Sequence, residues 1–362
     1  MAEFAGLRTL CAGGGQFVQR QAQRGGERGD GEEGRGRRAA GLDLAQRLGR
    51  QAGRRRDLDH AALAARLPEQ DAEPLPPLPL FGGQRHSHHD RDTNTGIVIG
   101  ATPGGHVMVE IKTDAALDAM REAGRVVARA LDAARKAAAI GVRLTDLDET
   151  ARAVLREAGA SSPFLGYRPP FAPTPFPAVI CVSVNDAIVH GIPTDYRLRD
   201  GDVVGVDCGA VLDGWAADAA VTFIVGTPRP GDLELVDTTR RALEAGIAAA
   251  TVGNRIGDIS AAIGAVAQKA GYGMPRDFGG HGIGRRMHED PSVPNHGRPR
   301  RGYPLRHGLA LAIEPMFIAG GRDGYHTAAD GWTLHSVDGS RAAHMEHTIA
   351  ITEDGPRVLT LL

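Results

Sequence analysis

The chain has 362 residues, with 42 Lys and Arg against 44 Asp and Glu, so its formal net charge is -2. Near-balanced charge gives no global field for nucleic acid or an anionic membrane, and no apolar run reaches the ~18 residues of a spanning helix. Cys11, Cys181 and Cys208 are too few and too scattered for a disulfide framework or a CxxC metal site, so a reducing cytoplasm is the expected compartment.

The first residues lack the continuous apolar core of a secretory signal. Residues 1–107 carry RGGERGDGEEGRGRR, LGRQAGRRR and PLPPLPL, and contain no Lys, Trp or Tyr. Such a segment cannot bury enough surface to offset chain entropy and is expected to be a disordered extension. The HSHH tract at His86–His89 has no surrounding partner ligands and reads as a solvated cluster. No aromatic residues interleave with the Arg residues, which argues against nucleic-acid binding. Met108 opens a stretch that reads as the start of a folded domain, residues 108–362, and as the natural initiator.

From there the pattern is helix, helix, strands, and then the same again. Asp114 is placed to cap a long amphipathic helix ending near Gly141, and Thr145 to begin a second. Shifting the chain by 112 residues lays ALDAARKAAAIGVRLTDLDETARAVLREAG over ALEAGIAAATVGNRIGDISAAIGAVAQKAG without a gap. Gly141 matches Gly253, Arg143 matches Arg255 and Asp146 matches Asp258. Shared turn glycines and caps in one register point to an internally duplicated α+β domain. A cleft is expected where the two halves join.

Between the helix pairs lies GDVVGVDCGAVLDGWAADAAVTFIV. Two β-rich runs joined by Asp213-Gly214 predict a hairpin with a type I′ turn. Counting back from the turn, Leu212 faces Trp215 and Gly209 faces Asp218, which puts Asp207 and Asp218 on one face as diagonal neighbours. Two Asp on a hairpin are ordinarily solvated outer-face residues. Here both sit in apolar runs, where an uncompensated charge is costly, so either one of them is protonated or something positive lies between them, a divalent cation being the first candidate.

The second half supplies FGGHGIGRRMHEDPSVPN, LRHGLALAIEPMFIAG and SRAAHMEHTIAIT, which place His281, Glu314 and Glu346 among small or apolar residues. Pro315 should interrupt strand pairing just after Glu314. Buried carboxylates need partners, and four of them with one imidazole suit one or two divalent ions such as Mn, Fe, Co or Zn. The absence of HExxH argues against a mononuclear zinc protease of that type.

The stretches CVSVNDAIVHGIP, GDVVGVDCGAVLDGWAADAAVTF, GGHGIGRRMHEDPSVPN, AIEPMF, DGWTLHS and MEHTIAIT, in this order, resemble those of the type I methionine aminopeptidases. The resemblance implies the pita-bread fold, two pseudo-symmetric αββ halves around an antiparallel sheet. It implies a site for two divalent metal ions on Asp207, Asp218, His281, Glu314 and Glu346, with Glu314 as general base toward a metal-bridged hydroxide. By the same resemblance His190 and His288 flank the substrate as catalytic residues that are not ligands. Tyr167, Phe176, Cys181, Phe278 and Trp332 would line the methionine pocket. The implied activity is removal of N-terminal methionine from nascent polypeptides with a small second residue, near the ribosome, by a monomer. The chain departs from the family in a long Pro-rich loop over residues 164–178, in Met287 where an aromatic residue is common, and in Gly209 where a small polar residue is common. Xaa-Pro aminopeptidases and dipeptidases share the fold and similar ligands but usually add an N-terminal domain. A non-catalytic binding protein on this fold would be expected to have lost ligands, and all five are present.

Overall fold

The computed structural model describes residues 97–102, 105–170 and 172–362, with side chains from residue 109 onward. The expectations placed on Cys11, on the His86–His89 tract and on residues 1–96 lie outside the described residues. A hairpin of β1 (Ile97–Thr102) and β2 (Gly105–Glu110) straddles the boundary expected at Met108.

Helix α1 (Asp114–Ala137) buries Leu117, Met120, Val127 and Leu131 along one stripe. Its N-cap is Thr113, whose hydroxyl accepts from the Ala116 N–H. Asp114 therefore stands in the first turn, where its charge complements the helix dipole, and is not the cap. The helix stops at Ala137, short of Gly141, which turns the chain with φ +89°. Helix α2 (Leu144–Glu157) starts one residue before Thr145, because Asp146 accepts from the Arg143 N–H and closes a capping box.

The first-half strands are β3 (Ile180–Val184), β4 (Ala187–Val189), β5 (Asp202–Leu212) and β6 (Trp215–Val225). The helix pair then recurs as α3 (Asp232–Ala249) and α4 (Ile256–Ala270). Arg255 and Asp258 repeat the capping box of Arg143 and Asp146, and Gly253 repeats the φ of Gly141 at +92°. The repeat read from the sequence is thus a repeat of backbone geometry as well as of residue type.

Second-half strands are β7 (Gly279–Gly282), β8 (Glu289–Pro294), β9 (Ala310–Ile313), β10 (Met316–Ile318), β11 (Tyr325–Thr327), β12 (Leu334–Ser336), β13 (Ala342–His344), β14 (Glu346–Thr352) and β15 (Gly355–Val358). One antiparallel sheet runs β3-β5-β6-β14-β9-β7-β8, with β15 added on β14. The seam between the halves is the β6–β14 pair, where Glu346 faces Ala220.

Alternation along these strands divides their two faces. Val204, Val206, Cys208, Ala217 and Ala219 pack with α1 and α2 in one core cluster. Leu311, Ile313, Ile349 and Ile351 pack with α3 and α4 in another. The opposite face, which carries Asp207, Asp218 and Glu346, is left to line a cavity at the seam.

Candidate active site

The hairpin has the register read from the sequence. Leu212 faces Trp215, Gly209 faces Asp218 and Asp207 faces Ala220. Asp213 and Gly214 both have positive φ, +50° and +79°, as a type I′ turn requires. The seam then fixes Asp218 from the other side. Its N–H donates to the Thr348 hydroxyl at 2.9 Å, and that hydroxyl donates back to the Asp218 carbonyl at 2.7 Å.

The second-half residues arrive at breaks in their strands. His281 sits at a register shift in the β7–β8 pair, opposite Ala312 of β9. Pro315 separates β9 from β10, as expected, and releases Glu314 from the ladder while Asn295 Nδ2 donates to its carbonyl at 3.0 Å. Met345 makes the corresponding break between β13 and β14, just before Glu346.

Together these elements wall a cavity of about 380 Å³ that Asp207, Asp218, His281, Glu314 and Glu346 all line. Asp218 and Glu346 are only 4% and 2% exposed. His281 Nδ1 lies 2.9 Å from the Gly282 carbonyl, so a proton on Nδ1 leaves the Nε2 lone pair free; Nε2 faces Glu314 Oε1 at 3.5 Å. Asp207 Oδ1, Asp218 Oδ1 and Glu346 Oε1 are buried without a hydrogen-bond partner among the described residues.

The electrostatics reflect this crowding. Burial pushes Asp207 up to about 6 and Glu314 up to about 8. Asp218 and Glu346 lie well above the usual carboxylate range, through burial first and the repulsion of neighbouring carboxylates second. Burial lowers His281 to about 3 and keeps its imidazole neutral. Such a set cannot ionise fully without a positive charge among its oxygens. The donor atoms of Asp218, His281 and Glu346 lie within 4.8 Å of one another, a spacing that fits a divalent ion.

The residues expected to flank the substrate line the same cavity. His190 has φ +61°, an uncommon left-handed value for a non-glycine residue. Its ring stands 5.7 Å from Phe278 and 6.4 Å from Trp332. Burial lowers His190 to about 4. His288 is likewise lowered by burial, and its ring lies 4.4 Å from that of His281. The pocket wall is aromatic: Phe176 meets Trp332 edge-on at 5.1 Å, and Tyr167 lies 5.7 Å from His288. Trp332 Nε1 donates to the Thr174 carbonyl at 3.0 Å, which ties the Pro-rich loop to the second half.

Cys181 opposes Asp207 across β3–β5 and lines the cavity, whereas Cys208 points into the helix-backed core. Burial holds both thiols well above their ordinary value, so both are protonated at neutral pH.

Three features escaped sequence reasoning. Lys112 and Glu289 form a buried ion pair of 2.8 Å beside His288. Thr348 clamps the Asp218 backbone. His344, 4% exposed, turns its Nε2 toward Glu314 and Glu346. The last was legible in HMEH: residues two apart on an extended strand share a face, and Glu346 was already in view.

Two helix-backed halves meeting at a carboxylate-lined cavity on a curled antiparallel sheet is the architecture of the pita-bread metallopeptidases. The chain belongs to metallopeptidase family M24, whose pattern matches residues 118–353. It is 50% identical to methionine aminopeptidase 1 of Mycobacterium tuberculosis over 264 residues, 71% of this chain and 97% of that one. The crystal structure of methionine aminopeptidase from Thermotoga maritima superposes with a TM-score of 0.67 at 41% identity, covering 70% of this chain and 100% of that one. Prolidase from Pyrococcus furiosus shares the fold, with a TM-score of 0.54 at 22% identity over 70% of this chain and 65% of that one.

Proposed function

We propose that this chain removes N-terminal methionine from polypeptides whose second residue is small, acting as a monomer on nascent chains in the cytoplasm. The observation that carries this reading is one cavity in which an apolar, aromatic wall runs directly into a cluster of four carboxylates and an imidazole. An unbranched thioether fits the wall, and the peptide bond beside it falls at the carboxylates.

In this reading Asp207, Asp218, His281, Glu314 and Glu346 would hold two divalent ions of the Co, Mn, Fe or Zn class. Bound there, such ions supply Lewis acidity and lower the pKa of water to near neutrality. Glu314, one of the carboxylates lining the cavity, accepts the proton of the attacking water. His190 and His288, held neutral by burial, donate N–H hydrogen bonds to the scissile amide and to the oxyanion that develops from it. Tyr167, Phe176, Cys181, Phe278 and Trp332 contact the methionine side chain and exclude water. Met287, 9% exposed in that wall, gives the pocket an adaptable thioether where an aromatic ring would be rigid.

The test is hydrolysis of Met-Ala-Ser against Ala-Pro by protein reconstituted with Mn or Co. Release of methionine from the tripeptide with Ala-Pro left intact is expected. Preferential Ala-Pro cleavage would overturn the substrate assignment in favour of the Xaa-Pro enzymes of this fold. Failure to cleave either, with ions bound, would favour a binding protein.

A further inference from the structure

His344 is fixed as firmly as the residues on the cavity wall. The Thr222 hydroxyl donates to its carbonyl at 2.6 Å and accepts from its N–H at 2.9 Å. Strand pairing sets it opposite Met316, two residues after Glu314. Thr222 thus does for His344 what Thr348 does for Asp218. With the backbone held, Nε2 faces Glu314 Oε2 at 3.5 Å and Glu346 Oε2 at 3.9 Å. It has no hydrogen-bond partner among the described residues.

Glu314 therefore stands between two imidazoles, with His281 Nε2 3.5 Å from Oε1 and His344 Nε2 3.5 Å from Oε2. The two are not equivalent. His281 lines the cavity and faces Oε1, whereas His344 faces Oε2 and, with Glu314 and Glu346, forms a second set of donor atoms within 4.8 Å of one another. With its backbone held by Thr222, His344 presents Nε2 as a donor to Oε2, which leaves Oε1 on the side of His281. Hydrogen bonds to a carboxylate settle at about 2.7–2.9 Å, so a swing of roughly 0.6 Å closes the contact with Oε2.

We propose that His344 is a positioning residue for Glu314 and not a ligand: its Nε2–H braces Oε2 and holds Oε1 beside His281. The proposal rests on the reading of Glu314 as a working carboxylate of this site. A donor 3.5 Å from Glu314 and 3.9 Å from Glu346 also offsets the mutual repulsion of the two carboxylates.

The test compares His344→Leu, which keeps bulk and removes the donor, with His344→Gln, whose amide N–H reaches about as far. Removing an outer partner of this kind costs about 10–100-fold in activity or ion affinity. His344→Leu should lower kcat on Met-Ala-Ser by that factor, leave KM within about two-fold, and weaken Mn binding in calorimetry. His344→Gln should restore most of both. In a Glu314→Gln background His344→Leu should weaken Mn binding no further. Electron spin echo spectra of the Mn-loaded, unaltered protein should show one imidazole nitrogen. If His344→Leu does not fold, His344→Asn, whose amide is too short to reach, takes its place. The proposal is overturned by unchanged kcat and Mn affinity in His344→Leu while Glu314→Gln is inactive. It is equally overturned by a second imidazole coupling, which would make His344 a ligand. Full activity in Glu314→Gln would bring down the reading beneath the proposal, and the proposal with it.

Discussion

Asp207 and Asp218 are diagonal neighbours across the β5–β6 ladder, each with one oxygen that no hydrogen bond from the described residues reaches. Without a cation, this pair is a liability to the fold. Asp218→Asn replaces a carboxyl whose ionisation the folded cavity opposes with a neutral amide, so at neutral pH the ion-free variant should melt higher than the parent. About 1 kcal/mol corresponds to ~2–4 °C for a domain of this size. The same variant should lose tight binding of one ion. Calorimetric melting with and without Mn checks both, and a lower melting point in the chelated variant would contradict the account.

Proton linkage gives a second expectation. Glu314 at about 8 and Asp207 at about 6 lie above their unfolded values, and Asp218 and Glu346 are raised as well. Groups raised on folding stabilise the folded chain below the unfolded carboxylate range, near about 4, and that contribution is lost as pH climbs through the folded values. The melting temperature of chelated protein should therefore fall from about pH 5 to about pH 8. Ion binding displaces the retained protons, so affinity should rise over the same interval, with proton release visible by calorimetry in buffers of different ionisation enthalpy. A pH-independent affinity would refute this linkage.

The Thr348 hydroxyl both donates to and accepts from the Asp218 backbone at the seam. Thr348→Val keeps the shape and leaves a buried N–H and a buried carbonyl unpaired, at about 1–3 kcal/mol each. The expected result is lower stability together with weaker ion binding, because Asp218 loses its anchor. Stability loss with ion affinity intact would show that Thr348 only holds the sheet.

Gly209 explains one departure from the family pattern. A Cβ there would lie 2.6 Å from Pro163 Cγ and 3.0 Å from Phe164 Cε1, so glycine is what lets the start of the Pro-rich loop lie on β5. Gly209→Ala should push Phe164 off the cavity wall and raise KM for methionyl peptides several-fold, with ion affinity unchanged. Overpacking of this kind costs about 1–3 kcal/mol. Unchanged KM would mean that the loop position does not shape the pocket.

Much of this was legible because local chemistry dictated it. Asp213-Gly214 sets the hairpin register by backbone preference alone, and the Arg143–Asp146 and Arg255–Asp258 boxes mark the duplication at matched positions. Glu314 and Glu346 stood out as charges in apolar runs. What did not show was tertiary. Thr348 and Thr222 look like ordinary strand residues until the seam is formed, and the Lys112–Glu289 pair joins residues 177 apart in the chain. The helix start was misread at Asp114 because Thr and Asp are both good caps, and only the hydroxyl geometry of Thr113 decides between them.

The central claim is that hairpin and second half jointly hold the ions that activity requires. Its most direct measurement is Mn- or Co-dependent release of methionine from Met-Ala-Ser by the Asp207→Ala, Asp218→Ala double variant, after circular dichroism has shown it folded. The account predicts loss of ion-dependent turnover by more than about 1,000-fold, a barrier increase of ~4 kcal/mol, with calorimetry showing that the ion pair no longer binds. Metal-dependent turnover surviving in that variant would contradict it.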